Sequence, residues 1–217
     1  MKHIALLTTL LLSASLQAVE KPYDYVFFEN SLMKGDYFYS QAKYTSPSWI
    51  KNARHHLPVA GSVAFTPGNS LELTYVSAPG GDWYSEIQYC PVRGNDFFRE
   101  PSTLSMQVRL RESMNAAALP NIAIRYADST YTQYLNLRNY LKDTRPGVWH
   151  PVSIPLEDFG LNAVNDTNIK KLAAVALRPG TADGNEYTIY LDDIELCRLP
   201  SVGKCLKRSG LAGSQGV

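Results

Sequence analysis

What most constrains this chain is a period of two that recurs along nearly its whole length. Apolar and polar residues alternate in short runs at 23–28, 70–76, 84–89, 104–110, 121–126, 134–138, 149–155, 172–178 and 187–196. Successive side chains on a strand point to opposite faces, so each run would bury one face and wet the other. Pro-Gly or Gly-Asn pairs at 66–69, 78–82, 93–96, 144–147 and 178–184 separate many of the runs. They supply turn angles that a strand interior does not use. Helical periodicity is nearly absent. The best candidate is one turn at 165–171, with Asp166 or Thr167 as its cap and Ile169 and Leu172 facing inward. About nine strands at such spacing predict an all-β chain folded as an antiparallel sandwich.

The two ends read differently from the middle. Residues 1–18 place Lys2 before an apolar run and end on Ala18, the layout of a secretory signal peptide. The run is short for a membrane span, and no cysteine follows it to take a lipid anchor. Residues 200–217 are rich in Gly, Ser and Lys without periodicity, as in a disordered tail or a truncated linker. The expected organisation is therefore a leader (1–18), one sandwich module (19–199) and a tail (200–217), in a secreted or periplasmic protein.

Charge narrows the partners. Loss of the leader removes Lys2, one of 21 basic residues, and leaves basic residues as numerous as the 20 acidic ones. A balanced surface gives no electrostatic footing for a nucleic-acid partner. The three cysteines are Cys90, Cys197 and Cys205. Export permits a disulfide, either Cys197–Cys205 or Cys90–Cys197, and the spacing leaves the pairing open.

The aromatic residues point to a ligand. All 14 Tyr, 7 Phe and 3 Trp lie after Ala18. Tyrosine combines an apolar ring with a hydrogen-bonding tip and suits half-wet surfaces; it also fills ordinary strands.

Three blocks carry a family resemblance. Residues 149–159 run from Trp149 through Ile154, Pro155 and Leu156 to Phe159; 174–180 form a strand ending in Pro-Gly; and 187–196 close on Asp192, Asp193, Ile194 and Leu196. Together they resemble the C-terminal half of galactose-binding-like β-sandwich carbohydrate-binding modules. Residues 27–30 and 67–75 resemble the opening strand and an early turn and strand of the same modules, so the likeness runs from Val26 to Leu196. It implies a jelly-roll sandwich of the kind attached to glycoside hydrolases or polysaccharide lyases, with sugar held on the concave sheet or in loops at one end. It also implies one structural calcium ion, with Glu29 and Asp192 or Asp193 by position. Calcium takes hard oxygen ligands, and consecutive residues face opposite ways, so one of the two aspartates would point inward.

Sugars stack on aromatic rings while amides, carboxylates and guanidinium groups reach their hydroxyls. The candidate ligand residues are Trp83, Trp49, Tyr131, Tyr134, Tyr84, Tyr126, Gln133 and Tyr39. Trp83 follows Pro79, Gly80 and Gly81 and is expected at a loop–strand junction with an accessible ring. Trp49 is expected exposed within an irregular stretch at 40–62, Trp149 packed in the core, and His150 exposed at an edge. No catalytic constellation emerges. Glu72 and Glu86 are carboxylates on separate runs that would have to meet to serve glycoside hydrolysis, and there is neither a nucleophile elbow nor a phosphate loop. The reading is a non-catalytic polysaccharide- or oligosaccharide-binding module without a membrane span. The alternatives are an accessory module of a longer glycoside hydrolase or lyase, or a protein-docking module that binds no sugar.

Overall fold

The computed structural model describes residues 25–89, 101–161 and 171–197. The leader, the tail, residues 165–170 of the expected turn, Cys90 and Cys205 lie outside the described residues. Cys197 is disulfide-bonded.

Two antiparallel sheets pack face to face, as the alternation predicts. The strands are β1 (Tyr25–Phe28), β2 (Ser40–Thr45), β3 (Trp49–Ile50), β4 (Val59–Ala60), β5 (Ser70–Val76), β6 (Asp82–Gln88), β7 (Thr103–Leu110), β8 (Asn121–Tyr126), β9 (Leu135–Asn136), β10 (Trp149–Pro155), β11 (Leu172–Arg178) and β12 (Glu186–Cys197). One sheet has the order β10-β7-β12-β5-β3, with β1 paired to β12 and β4 to β5; the other has the order β2-β6-β11-β8-β9. All nine alternating runs contribute strands. β2, β3 and β4 are additional, and they lie in or at the edge of the 40–62 stretch expected to be irregular. Among the described residues helix is confined to short 3-10 turns at Ala116–Ala118, Leu137–Tyr140 and Leu156–Phe159. Among the described residues no helix is long and apolar enough to cross a membrane.

The core forms where the inner faces meet. Leu71, Leu73 and Tyr75 of β5, Met106, Val108 and Leu110 of β7, and Ile189 and Leu191 of β12 meet Ile87 of β6, Ile122 and Ile124 of β8, and Val175 and Leu177 of β11. Burial of this apolar surface is the main force holding the sheets together. Two buried tyrosine hydroxyls are satisfied by backbone: Tyr75 Oη donates to the Ala118 carbonyl (3.0 Å), and Tyr37 Oη to the Phe27 carbonyl (2.7 Å).

Two expectations for β10 are corrected by its phase. His150, Val152 and Ile154 point inward, so His150 is buried, with Nε2 2.8 Å from the Arg145 carbonyl oxygen. Trp149 is therefore on the outer face, half-buried, with its ring 6.0 Å from that of Phe65. Trp49 is likewise half-buried, in β3 opposite Val76, rather than free in a loop.

Candidate functional site: the outer face of the five-stranded sheet

Strand β6 sets the face. Trp83, Ser85 and Ile87 point into the core, so Asp82, Tyr84, Glu86 and Gln88 point out. Register brings the neighbours alongside: Glu86 lies between Gln41 of β2 and Ala176 of β11, and Tyr84 lies opposite Lys43. Ala176 in turn lies opposite Ala123 of β8, and Ala174 opposite Arg125. Ala123, Ala174 and Ala176 are fully buried although they point away from the core. These small residues form a low floor on the outer face.

The chain after β8 doubles back over this floor. Thr132 Oγ1 accepts from the Ile124 amide (2.9 Å), and the Thr132 amide donates to the Ile124 carbonyl (3.0 Å). Arg125 and Tyr131 form an isolated bridge. This turn carries Tyr131 and Tyr134 onto the face. Their rings are 6.0 Å apart at 27°, and both are a little over one-third exposed (37 % and 36 %).

Polar groups surround the ring pair. Tyr131 Oη donates to Glu86 Oε1 (2.8 Å), and Arg125 Nε lies 3.0 Å from the same oxygen. That guanidinium contact is an ion pair without hydrogen-bond alignment at Nε; Arg125 Nη1 donates to the Tyr126 carbonyl (3.2 Å). Glu86 is buried, and a buried carboxylate persists only with such partners. Burial, with the hydrogen bond to Glu86, pushes the Tyr131 hydroxyl up to about 12. It therefore stays a donor at any ordinary pH.

A second cluster adjoins the first. Arg178 Nε donates to Tyr134 Oη (3.1 Å), and its Nη1 pairs with Asp82 Oδ2 (3.1 Å). Its guanidinium carbon lies 6.0 Å from the Tyr84 ring centre and 5.8 Å from that of Tyr134, at the edge of cation–π reach. Tyr84 Oη donates to Gln41 Oε1 (3.0 Å). Burial raises the hydroxyl pKa of both Tyr84 and Tyr134.

Of the candidate ligand residues, the fold brings Tyr84, Tyr131 and Tyr134 together. The others are placed elsewhere. The accessible ring expected for Trp83 is overturned: the side chain is 1 % exposed, its indole N–H donates to Ser77 Oγ (2.9 Å), and its ring packs 4.7 Å from Tyr75. Tyr39 and Tyr126 are half-buried against the core, and Gln133 donates to the Asp158 carbonyl. Of the polar half of the site, Gln41, Asp82, Arg125 and Arg178 were not among the candidate ligand residues, and Glu86 was weighed only as a catalytic carboxylate. The outward phase of β6 carries the signal for Asp82 and Glu86. Glu72 and Glu86 do not meet: they lie in different sheets, and Glu72 is paired with Lys51 (2.6 Å).

Asp192 and Asp193, the positions that the resemblance implies for calcium, are held by the chain's own donors. Asp192 Oδ2 accepts from the Phe65 (2.8 Å) and Thr66 (3.2 Å) amides, and Oδ1 from the Asp193 amide (2.8 Å). Asp193 sits at φ 47° and accepts from Thr66 Oγ1 (2.8 Å). Among the described residues no group of three or more His, Cys, Asp or Glu side chains is placed to hold a metal. Three backbone N–H donors converge on Asp192 and take three of the roughly four lone-pair sites of its carboxylate. No step below relies on an ion at this position.

A shallow sheet face with two half-exposed rings and charge-paired hydrogen-bonding groups has the chemistry of a polysaccharide-binding module. A family model described as carbohydrate binding domain 30 matches residues 24–198, and the chain belongs to that family. It is a β-sandwich carbohydrate-binding module of the kind found in glycoside hydrolases. It is 98 % identical over 204 residues to an exo beta-1,2-glucooligosaccharide sophorohydrolase (non-reducing end) of Parabacteroides distasonis, covering 93 % of this chain and 28 % of that relative. It superposes on the crystal structure of a beta-1,2-glucanase from Parabacteroides distasonis with TM-score 0.81 and 97 % identity, over 85 % of this chain and 27 % of that one. A family 30 carbohydrate-binding module of a cellulosomal cellulase of Clostridium thermocellum superposes with TM-score 0.57 and 17 % identity, over 81 % and 97 % of the two chains, and shares the fold. The chain thus spans under one-third of the length of the curated relative it matches.

Proposed function

We propose that this module binds β-linked glucan chains on the outer face of the five-stranded sheet. In this reading it serves as the accessory, non-catalytic part of an exported β-1,2-glucan-degrading hydrolase. The Tyr131–Tyr134 pair carries the reading. Its two part-exposed rings sit 6.0 Å apart with Glu86, Arg125 and Arg178 around them. Stacking on rings supplies affinity, and the charged groups read hydroxyl positions. The glucan class and the hydrolase follow from the relatives' described activities, and export from the leader-like residues 1–18.

The test is isothermal titration of the chain with linear β-1,2-glucan, with β-1,3- and β-1,4-glucans as comparison. Preferential binding of the β-1,2 polymer, lost in Tyr131→Ala, supports the reading. Absence of binding to all three by the folded protein overturns it.

One observation favours a second reading, docking to protein. The segment between β1 and β2 exposes Leu32 (96 %), Met33 (52 %) and Phe38 (65 %), more apolar surface than isolated side chains need present to water. A Phe38→Ser variant separates the two: it would leave glucan binding intact and weaken only a protein contact.

A further inference from the structure

The outer face of the seven-stranded sheet carries a second row of rings and charges. Leu71, Leu73, Val108, Leu110, Ile189 and Leu191 point into the core, so Glu72, Arg109 and Tyr190 point out, as Trp149 does on β10. Register sets these four side by side: Trp149 lies opposite Arg109, Arg109 opposite Tyr190, and Tyr190 opposite Glu72. Neighbouring strands lie about 4.8 Å apart, so the backbone positions of the two rings are roughly 10 Å apart, with Arg109 between them. Trp49 shares this face at the far edge, since Ile50 beside it is buried. Two of the three tryptophans thus lie on this face, and the third, Trp83, is in the core.

The row is pinned at both ends. The Phe65 and Thr66 amides on Asp192 (2.8 and 3.2 Å) tie the preceding loop to β12, and the Phe65 ring sits 6.0 Å from that of Trp149. At the other end Glu72 is paired with Lys51 (2.6 Å) and accepts from Thr74 Oγ1 (3.1 Å). Arg109, in the middle, has no such partner. Its Nε is closed off from water and meets no acceptor. Among the described residues neither its guanidinium, nor the Trp149 indole N–H, nor the Tyr190 hydroxyl has a hydrogen-bond partner. Donors left open on a half-buried row favour a ligand that brings oxygen atoms to them.

Two rings, a guanidinium and a carboxylate in one line repeat the chemistry of the tyrosine face, on the opposite side of the sandwich. Trp149, Tyr190, Phe65 and Trp49 are all half-buried. The row therefore lacks the broad apolar patch on which a protein docks, and it suits a thin hydroxylated chain.

We infer that the Trp149–Arg109–Tyr190 row is a second, weaker glucan site, so that the module holds two chains, one on each side of the sandwich. The ligand class rests on the proposed glucan binding. The site is the weaker one because its rings leave less surface for stacking than Tyr131 and Tyr134, which are over one-third exposed. The sheets pack about 10 Å apart with these faces turned away from each other. One short oligosaccharide cannot reach both, so two sites mean two ligands per module.

The experiment is calorimetric titration with a short linear β-1,2-glucooligosaccharide, read together with tryptophan emission, which reports the Trp149 face because the other face is built on tyrosines. It uses the wild type, Tyr131→Ala, Arg109→Gln and Trp149→Phe, with thermal unfolding as the fold control. The expected result is two oligosaccharides per module, the second bound roughly tenfold or more weakly than the first. Tyr131→Ala keeps the weak one, with its change in tryptophan emission, and Arg109→Gln and Trp149→Phe keep the tight one. One oligosaccharide per module, with neither residual binding nor an emission change in Tyr131→Ala, overturns the second site and leaves the tyrosine face standing. A single site untouched by Tyr131→Ala and lost in Arg109→Gln overturns the tyrosine face and supports this row. No binding by the folded wild type overturns both and leaves the row to a protein partner. The wild-type stoichiometry needs no variant, so a misfolded Trp149→Phe does not block the test.

Discussion

Tyr131 donates to Glu86 at 2.8 Å across 45 residues of sequence, and this bond ties the ring pair to the central part of the sheet. It joins an exposed ring to a buried carboxylate, so one contact both holds the platform and satisfies a charge. Tyr131→Phe keeps the ring and removes the donor. Leaving Glu86 with one partner fewer should cost about 1–3 kcal/mol of stability, while glucan binding falls only a few-fold. Tyr131→Ala should lose binding by tenfold or more. Equal binding losses in the two variants would show that the hydroxyl, and not the ring, holds the sugar.

Trp83 is predicted to act on stability alone. Removing a buried indole leaves a cavity beside Tyr75 and orphans Ser77 Oγ, and Trp83→Ala should cost about 3–5 kcal/mol in urea unfolding. Trp83→Phe should cost less and bind glucan like the wild type. A Trp83→Phe protein of full stability that had lost binding would contradict the buried placement.

Asp192 gives a pH test with a definite sign. Burial pushes its carboxyl from the ordinary value of 3.8 up to about 7, against the amides of Phe65 and Thr66, which favour the charged form. A folded-state value above the unfolded one means that the folded protein holds the extra proton between them. The contribution of Asp192 to stability is then fully present below about 4 and is lost as the pH rises toward about 7. The stability difference between wild type and Asp192→Asn, from urea midpoints, should therefore shrink over that window. A difference that grows with pH would show that the three amides outweigh burial.

Gly180→Ala should disturb the loop that follows Arg178. The added methyl meets backbone oxygen atoms of Leu119 and Ala117 at 2.2 and 2.6 Å, which have no flexible end to give way. The expected cost is about 1–3 kcal/mol, with weaker binding of linear oligosaccharide. Full stability in thermal unfolding would mean that the loop has freedom the packing does not suggest.

The strands were legible because alternation and turn residues agree along the chain, and that agreement is what specifies a sandwich. The phase of β6 was harder. A one-residue slip exchanges Trp83, Ser85 and Ile87 for Tyr84 and Glu86, and both sets contain aromatics. Ile87, on the same face as Trp83, marks the inward set; the position of Trp83 after Gly81 pointed the other way. β10 shows the same difficulty, with Trp149 out and His150 in. Tyr131 and Tyr134 were found by composition, whereas their partners were not. Arg178 and Asp82 are 96 residues apart, and Glu86 reaches Arg125 only through two strand pairings that no local pattern displays.

The central claim is that the outer face of the five-stranded sheet holds a glucan. It is tested most directly by titrating linear β-1,2-glucan into wild type, Tyr131→Ala and Arg178→Ala. The account predicts binding by the wild type, a loss of tenfold or more in each variant, and unfolding midpoints that show all three proteins folded. Undiminished binding in both variants would contradict it and move the sugar site off this face.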